Sequence, residues 1–191
     1  MTEIRQIYPK ISNAIRGRNI DELRELFSTF PDMIDYQTKF MGSWLHIAAK
    51  ESSVEVVEFL IDLGLDLNIE SPRDKSKAIV GAAANGNLEI VSYLISKAAD
   101  IDTDSIDANP LISAIYGRNE RVVREVLNTG IDAALCYELN NETKMTAMAY
   151  AVEQGSIDLA YLVANQIASG EKDKINQLIA DAKKQAEINN R

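Results

Sequence analysis

Ser43-Trp44-Leu45-His46-Ile47-Ala48-Ala49, followed by Val54-Glu55-Val56-Val57-Glu58-Phe59-Leu60-Ile61-Asp62-Leu63-Gly64-Leu65-Asp66-Leu67-Asn68, reads as a short helix, a tight turn, a second helix and a helix stop. The pattern recurs 34 residues later, the spacing from Ala48 to Ala82. Ala82-Ala83 then falls on Ala48-Ala49, Leu88-Glu89-Ile90-Val91 on Val54-Glu55-Val56-Val57, and Asp100-Ile101-Asp102 on Asp66-Leu67-Asn68. A fixed period of about 33 residues marks a solenoid of helical pairs. No single pair buries its apolar face alone, so stacking supplies the core.

These residues resemble the ankyrin repeat family, whose pattern opens the first helix with Thr-Pro-Leu-His-x-Ala-Ala and closes the second with Gly-Ala-Asp-Val-Asn. Leu45, His46, Ala48, Ala49, Gly64, Asp66 and Asn68 match it directly, while Ser43 stands for Thr and Trp44 for Pro. The resemblance implies an all-α fold: an ankyrin-repeat solenoid of stacked helix-turn-helix units with short β-hairpin-like fingers. It also implies the shared trade of such arrays, which is binding another protein.

Working outward, residues 35–68 and 69–102 are the clearest repeats. Tyr36 to Met41 should form the β-hairpin finger of the first. Ser52 stands where glycine is usual, a substitution tolerated if serine takes the left-handed conformation. In the second repeat Lys77-Ala78-Ile79-Val80 replaces Thr-Pro-Leu-His, so the helix-opening hydrogen bonds of that motif are mostly lost. Residues 103–134 form a third repeat, where Asn109 can cap a helix whose first position is Pro110. Gly117-Arg118-Asn119 should make its turn, echoing Gly17-Arg18-Asn19.

Residues 135–168 form a fourth repeat, in which the step from Leu111 to Met148 is 37 residues against 32 from Ile79 to Leu111. The extra length must lie in the finger around Cys136 to Asn141, on the face where repeat insertions often bind partners. At the N-terminus, residues 1–34 read as a capping unit: Ile11, Ala14 and Ile15 make one stripe, and Ile20, Leu23, Leu26 and Phe27 the next. Pro31 stops that second helix. Residues 169–191 close the array with a capping helix, its stripe running Ile175, Leu178, Ile179, Ala182. The whole chain of 191 residues thus reads as one domain.

Composition narrows the function. Hydrophobic content of 46% excludes a disordered chain, and no apolar run of about 18 residues is present to cross a membrane. The N-terminus lacks a signal peptide's apolar core, so a cytoplasmic location is expected. One cysteine, Cys136, forbids an internal disulfide and agrees with a reducing compartment. The net charge of −9 is unevenly placed: residues 35–170 hold 20 acids against 10 bases, while both ends are nearly balanced. Such a surface repels phosphate backbones, which argues against nucleic acid, and steers a basic protein toward itself. Acidity that merely keeps a protein soluble is the competing reading.

Candidate chemistry is thin. In the ankyrin resemblance, His46 bonds backbone of the neighbouring loop and serves the fold. A metal would need several convergent ligands, so none is expected at this lone histidine. Cys136 lies on a different repeat, too remote for a catalytic pair. Asp100-Ile101-Asp102-Thr103-Asp104 opens like a calcium loop, but Ser105 and Leu111 stand where glycine and glutamate are required. No phosphate-cradling glycine loop and no nucleophile elbow occurs. Neither cofactor nor enzymatic activity has sequence support.

What remains is surface. Carried onto this chain, the resemblance places partner binding at finger tips and on the first-helix face: Tyr36, Lys39, Phe40, Glu51, Arg73, Asp74, Asn85, Asp104, Asp107, Tyr116, Glu138, Glu142 and Glu153. Tyr36, Phe40 and Tyr116 are candidate aromatic anchors, with packing between fingers as the alternative role. In size and as a lone acidic ankyrin array, the chain resembles the immunity proteins paired with secreted bacterial toxins. The expected function is therefore a monomeric module that binds and neutralises a basic toxin or effector, with a recruiting scaffold as the alternative.

Overall fold

The structure, a computed structural model, describes residues 2–139 and 143–189. Helices come in pairs: α1 (Thr2–Arg16) with α2 (Ile20–Thr29), α3 (Trp44–Glu51) with α4 (Val54–Asp62), and α5 (Ala78–Ala84) with α6 (Leu88–Ser96). Then follow α7 (Pro110–Tyr116) with α8 (Glu120–Leu127), α9 (Ala147–Glu153) with α10 (Ile157–Ala168), and a single α11 (Lys172–Asn189). The first helices α1, α3, α5, α7 and α9 stack in one row, and α4, α6, α8 and α10 in a second row behind it. Helix α11 lies across α9 and α10 and covers the end of both rows.

Spacing explains the stacking. Val56, Val57 and Leu60 on α4 recur as Ile90, Val91 and Leu94 on α6 and as Val122, Val123 and Val126 on α8, all buried. Three- and four-residue spacing puts each set on one helix face. In the front row, Ala48-Ala49, Ala82-Ala83 and Ala114 are fully buried, and their single methyl groups let adjacent helices approach closely. The stripe of α1 begins earlier than Ile11, because Ile7 is buried too. The helix runs through Pro9, which forfeits one backbone bond.

Capping follows chemistry that the sequence supplies. Asn109 accepts from the backbone N–H of Leu111 at 2.8 Å, and Asn119 from that of Arg121 at 3.1 Å. Helix α5 has no side-chain cap at Lys77. The lysine is put to a different use: 9% exposed, it reaches Asp100 at 3.1 Å and Asp102 at 3.2 Å, tying the loop after α6 to the start of α5. Burial pulls its pKa down, but the hydrogen bonds to both carboxylates outweigh that and hold it above the ordinary lysine value.

The turns between paired helices correct one sequence expectation, at Ser52, and form where expected at Gly117-Arg118-Asn119. Ser52 is not left-handed; it has φ −125° and ψ −140°. Its hydroxyl instead donates to the carbonyl of Ile15 at 2.7 Å, anchoring the turn to the preceding unit. In the sequence Gly117-Arg118-Asn119 the left-handed residue is Arg118, at φ 52°, as Arg18 is at φ 56° in the first unit. Gly117 serves contact: a Cβ there would lie 2.7 Å from the Ala84 carbonyl oxygen and 2.8 Å from that of Ala83. The glycine is what lets α7 close on α5.

Ala98 occupies the helix-stop position that Gly64 and Gly130 fill elsewhere, and it too is left-handed, at φ 60°. A Cβ in that region costs about 1 kcal/mol or more. Ala98→Gly is therefore expected to raise unfolding free energy by about 0.5–1 kcal/mol, the smaller figure reflecting glycine's greater unfolded-state entropy. Urea denaturation checks this; a loss of stability would contradict it.

The fingers differ in length. The expected hairpin over Tyr36–Met41 is reduced to one bridge, in which Thr38 and Gly42 exchange N–H···O bonds of 3.0 and 3.1 Å. Strands do not extend further, because Gly42 at φ 66° already turns the chain into α3. In the fourth finger, β1 (Cys136–Glu138) pairs antiparallel with β2 (Lys144–Thr146), in the register Cys136↔Thr146, Tyr137↔Met145, Glu138↔Lys144. Here lies the extra length of the 37-residue step.

Candidate protein-binding surface

Some of the expected surface residues also bond within the fold, exposed Asn85 and half-buried Glu153 among them, and the others face outward. Tyr36 is half-buried, its ring 6.0 Å from Tyr8 and 6.2 Å from Trp44. Glu51 pairs with Arg16 across the first two units. Asp74 organises its finger: one carboxylate oxygen accepts from the Ser71 hydroxyl, from the Ser76 hydroxyl at 2.7 Å and from the Ser76 backbone N–H at 3.1 Å. Burial opposes ionisation there, yet these hydrogen bonds hold the Asp74 carboxyl below its ordinary pKa. Asn85 turns its amide back on the Gly81 carbonyl at 2.9 Å. Glu153 accepts from the Asn189 side chain at 2.7 Å.

The outward group is Lys39, Phe40, Arg73, Asp104, Asp107, Tyr116 and Glu138, which face solvent to differing degrees. Phe40 is 73% and Tyr116 62% exposed, far more than aromatic rings of the core. Lys39 sits over the Phe40 ring at 6.0 Å, and Glu138 faces Lys144 across the strand pair at 3.5 Å. Glu142 lies outside the described residues. The finger residues and the ends of the first helices are carried by successive units of one stack. Two contributors went unseen in the sequence: Tyr150, one turn before Glu153 on α9, and Asn189 at the end of α11. Repeat alignment of Tyr150 with Ser113, Gly81 and Ile47 was the signal for the first; nothing in the pattern pointed to the second.

His46 joins two units. The Ser43 backbone N–H donates to its Nδ1 at 3.2 Å, and its Nε2 lies 3.0 Å from the Ser76 carbonyl oxygen. This pattern requires a neutral ring with the proton on Nε2, since a carbonyl only accepts. Burial lowers the His46 pKa from its ordinary 6.5, against smaller opposing effects of the Ser76 carbonyl and Asp74. The unfolded chain therefore takes up the proton first. Stability is fully present above about pH 6.5 and declines as pH falls through the depressed folded value. His46→Gln should flatten this acid-side decline in melting temperature between about pH 7.5 and 5; parallel profiles for the two proteins would contradict it.

Among the described residues, no three His, Cys, Asp or Glu side chains are grouped to hold a metal. No helix among them is long and apolar enough to cross a membrane. A cavity of about 270 Å³ lies between the fourth finger and α11, lined by Cys136, Met148 and Leu178 among others.

A stack of short helical pairs with an outward row of finger and helix-end side chains defines a repeat scaffold for binding proteins. The family model "Ankyrin repeats (3 copies)" matches residues 45–135 and 79–177, and the chain belongs to the ankyrin repeat family. It is a protein–protein interaction module, of a fold that is typically non-enzymatic. The chain is similar to the ankyrin repeat and KH domain-containing protein mask-1 of Caenorhabditis elegans, 28% identical over 125 residues, 65% of this chain and 4% of that protein. It is 31% identical to the palmitoyltransferase AKR1 of Lachancea kluyveri over 122 residues, 63% of this chain and 17% of the enzyme. Similarity to the ankyrin repeat and SAM domain-containing protein 6 of Rattus norvegicus is 23% over 137 residues, 70% of this chain and 15% of the relative. The chain thus spans under a fifth of the length of each.

Proposed function

We propose that this module binds one basic protein through its finger tips and first-helix face, and that the partner is a toxin or effector held inactive in the complex. The carrying observation is the placement of charge. The acidic excess lies in residues 35–170, and Asp104, Asp107 and Glu138 present their carboxylates along the fingers of that segment. Exposed Phe40 and Tyr116 add apolar contact area of the kind that dominates interface energetics. A field of this sign raises the association rate of a cationic partner, an effect that salt weakens as the Debye length falls to about 8 Å at physiological ionic strength.

The test begins with affinity capture of a stoichiometric partner. Reversing Asp104, Asp107 and Glu138 to lysine is expected to slow association about tenfold or more at low salt. Asp102 is left out because it holds Lys77. A matched reversal of Glu55, Glu58 and Glu89, exposed on the second helices, should have little effect. Loss of binding with the second set alone would place the interface on the opposite face. Expression of the captured partner alone should be toxic and co-expression should rescue growth. A partner that binds without losing any activity would replace neutralisation by recruitment.

A further inference from the structure

We infer that Tyr116, Tyr150 and Glu153 form a recognition site for an arginine side chain of the partner protein. This deepens the proposed function and rests on its reading that a basic protein docks on the first-helix face. Tyr150 and Glu153 are three residues apart on α9, which places them on one helix face. Tyr116, at the end of α7, holds the position in its repeat that Glu153 holds in the next, each two residues beyond a fully buried alanine, Ala114 or Ala151. Helices α7 and α9 are packed neighbours, so the three side chains share one patch of the front row.

The patch is open on one side and fixed on the other. On α5 the positions equivalent to Tyr150 and Glu153 are Gly81 and Ala84. These side chains are too short to cover Tyr116, which stays 62% exposed. On the far side, the Asn189 side-chain amide donates to Glu153 Oε1 at 2.7 Å and to the Lys144 carbonyl at 2.9 Å. The end of α11 thereby orients the carboxylate without neutralising it. No lysine or arginine among the described residues forms a salt bridge with Glu153, and the nearby Arg118 donates to the Gln154 carbonyl at 2.7 Å. Burial raises the Tyr150 phenol pKa, and the proximity of Tyr116 and Glu153 raises it further, so the three groups sense one another.

Tyrosine rings neighbouring a carboxylate suit a planar cation. A guanidinium can stack on an aromatic ring while its N–H groups meet carboxylate oxygens, whereas an ammonium is a more strongly hydrated point charge. The acidic field of the repeats favours the same ligand.

The test uses protein with ¹³C-labelled tyrosine rings and three capped glycine pentapeptides carrying a central arginine, citrulline or lysine. The arginine peptide is expected to shift the Tyr116 and Tyr150 resonances saturably, in the millimolar range expected of so small a ligand. The citrulline peptide should leave them unmoved and the lysine peptide should bind more weakly. Glu153→Gln should weaken the arginine response about three- to tenfold, Tyr116→Ala likewise, and Glu55→Gln not at all. Equal responses to arginine and citrulline, no response at these two rings, or indifference to Glu153→Gln would each overturn the inference. Equal affinity for lysine would overturn the guanidinium assignment. Should the peptides fail while the captured partner still depends on Asp104, Asp107 and Glu138, this site falls and the proposed function stands. Site-specific peptide binding beside a partner indifferent to those acids would uphold the site and overturn the proposed function.

Discussion

Trp44→Ala is expected to lower unfolding free energy by about 3–5 kcal/mol, the range for truncating a buried tryptophan. The side chain is 1% exposed and takes the place that proline has in the family pattern. Its ring lies 5.0 Å from Tyr8, 6.3 Å from Phe27 and 6.2 Å from Tyr36, so a single residue of the second unit holds α1, α2 and the first finger together. Its indole N–H donates to the Met33 carbonyl, which closes the turn after α2. Trp44→Phe keeps an aromatic ring and loses the indole hydrogen bond, at about 0.5–1.5 kcal/mol, because the Met33 carbonyl still accepts from the Tyr36 N–H at 3.2 Å. The two variants should therefore differ, with alanine the worse. Because units contact only their neighbours, alanine should also loosen the first unit ahead of the rest and reduce the denaturant m-value. A fall of under about 1 kcal/mol in Trp44→Ala with unchanged m would show that the cluster does not couple the units.

That cluster marks the boundary of what the sequence could reveal. The 34-residue period made the helical pairs legible, because buried positions repeat and spacing alone identifies them. Substituted motif positions were legible only as losses. Nothing in Lys77 announced that it would bridge two aspartates across a repeat, since its partners come from a loop 23 residues away. Ser52 looked like a poor glycine, whereas its hydroxyl reaches back to Ile15, a contact across 37 residues that no local pattern encodes. The same limit applies to the surface. Exposure of Phe40 and Tyr116 could be anticipated from repeat register, but Asp74, Glu51 and Glu153 carry hydrogen bonds or ion pairs visible only once the chain is folded. Residue type gives the charge of a side chain; the fold decides whether a partner can use it.

Leu60→Ala is expected to cost about 2–5 kcal/mol, the lost transfer energy plus the cavity left by incomplete relaxation. Leu60 on α4 is equivalent to Leu94 on α6, Val126 on α8 and Val163 on α10, and all four are fully buried. They are the recurring residues of the back row, where each unit meets the next. If stability is a sum of units and nearest-neighbour interfaces, truncations at Leu60 and Val163 share no partners. Their effects should then add within about 0.5 kcal/mol in the double variant. Leu60→Ala combined with Leu94→Ala should not add, because α4 and α6 pack directly on one another and the two cavities can merge or collapse together. Urea titrations of the single and double variants provide the comparison, and a chelator control should leave every midpoint unchanged if packing alone carries the fold. A coupling between Leu60 and Val163 well above about 0.5 kcal/mol would mean that the stack responds as one block. A binding event at one finger would then be felt along the whole array, instead of only in the adjoining unit.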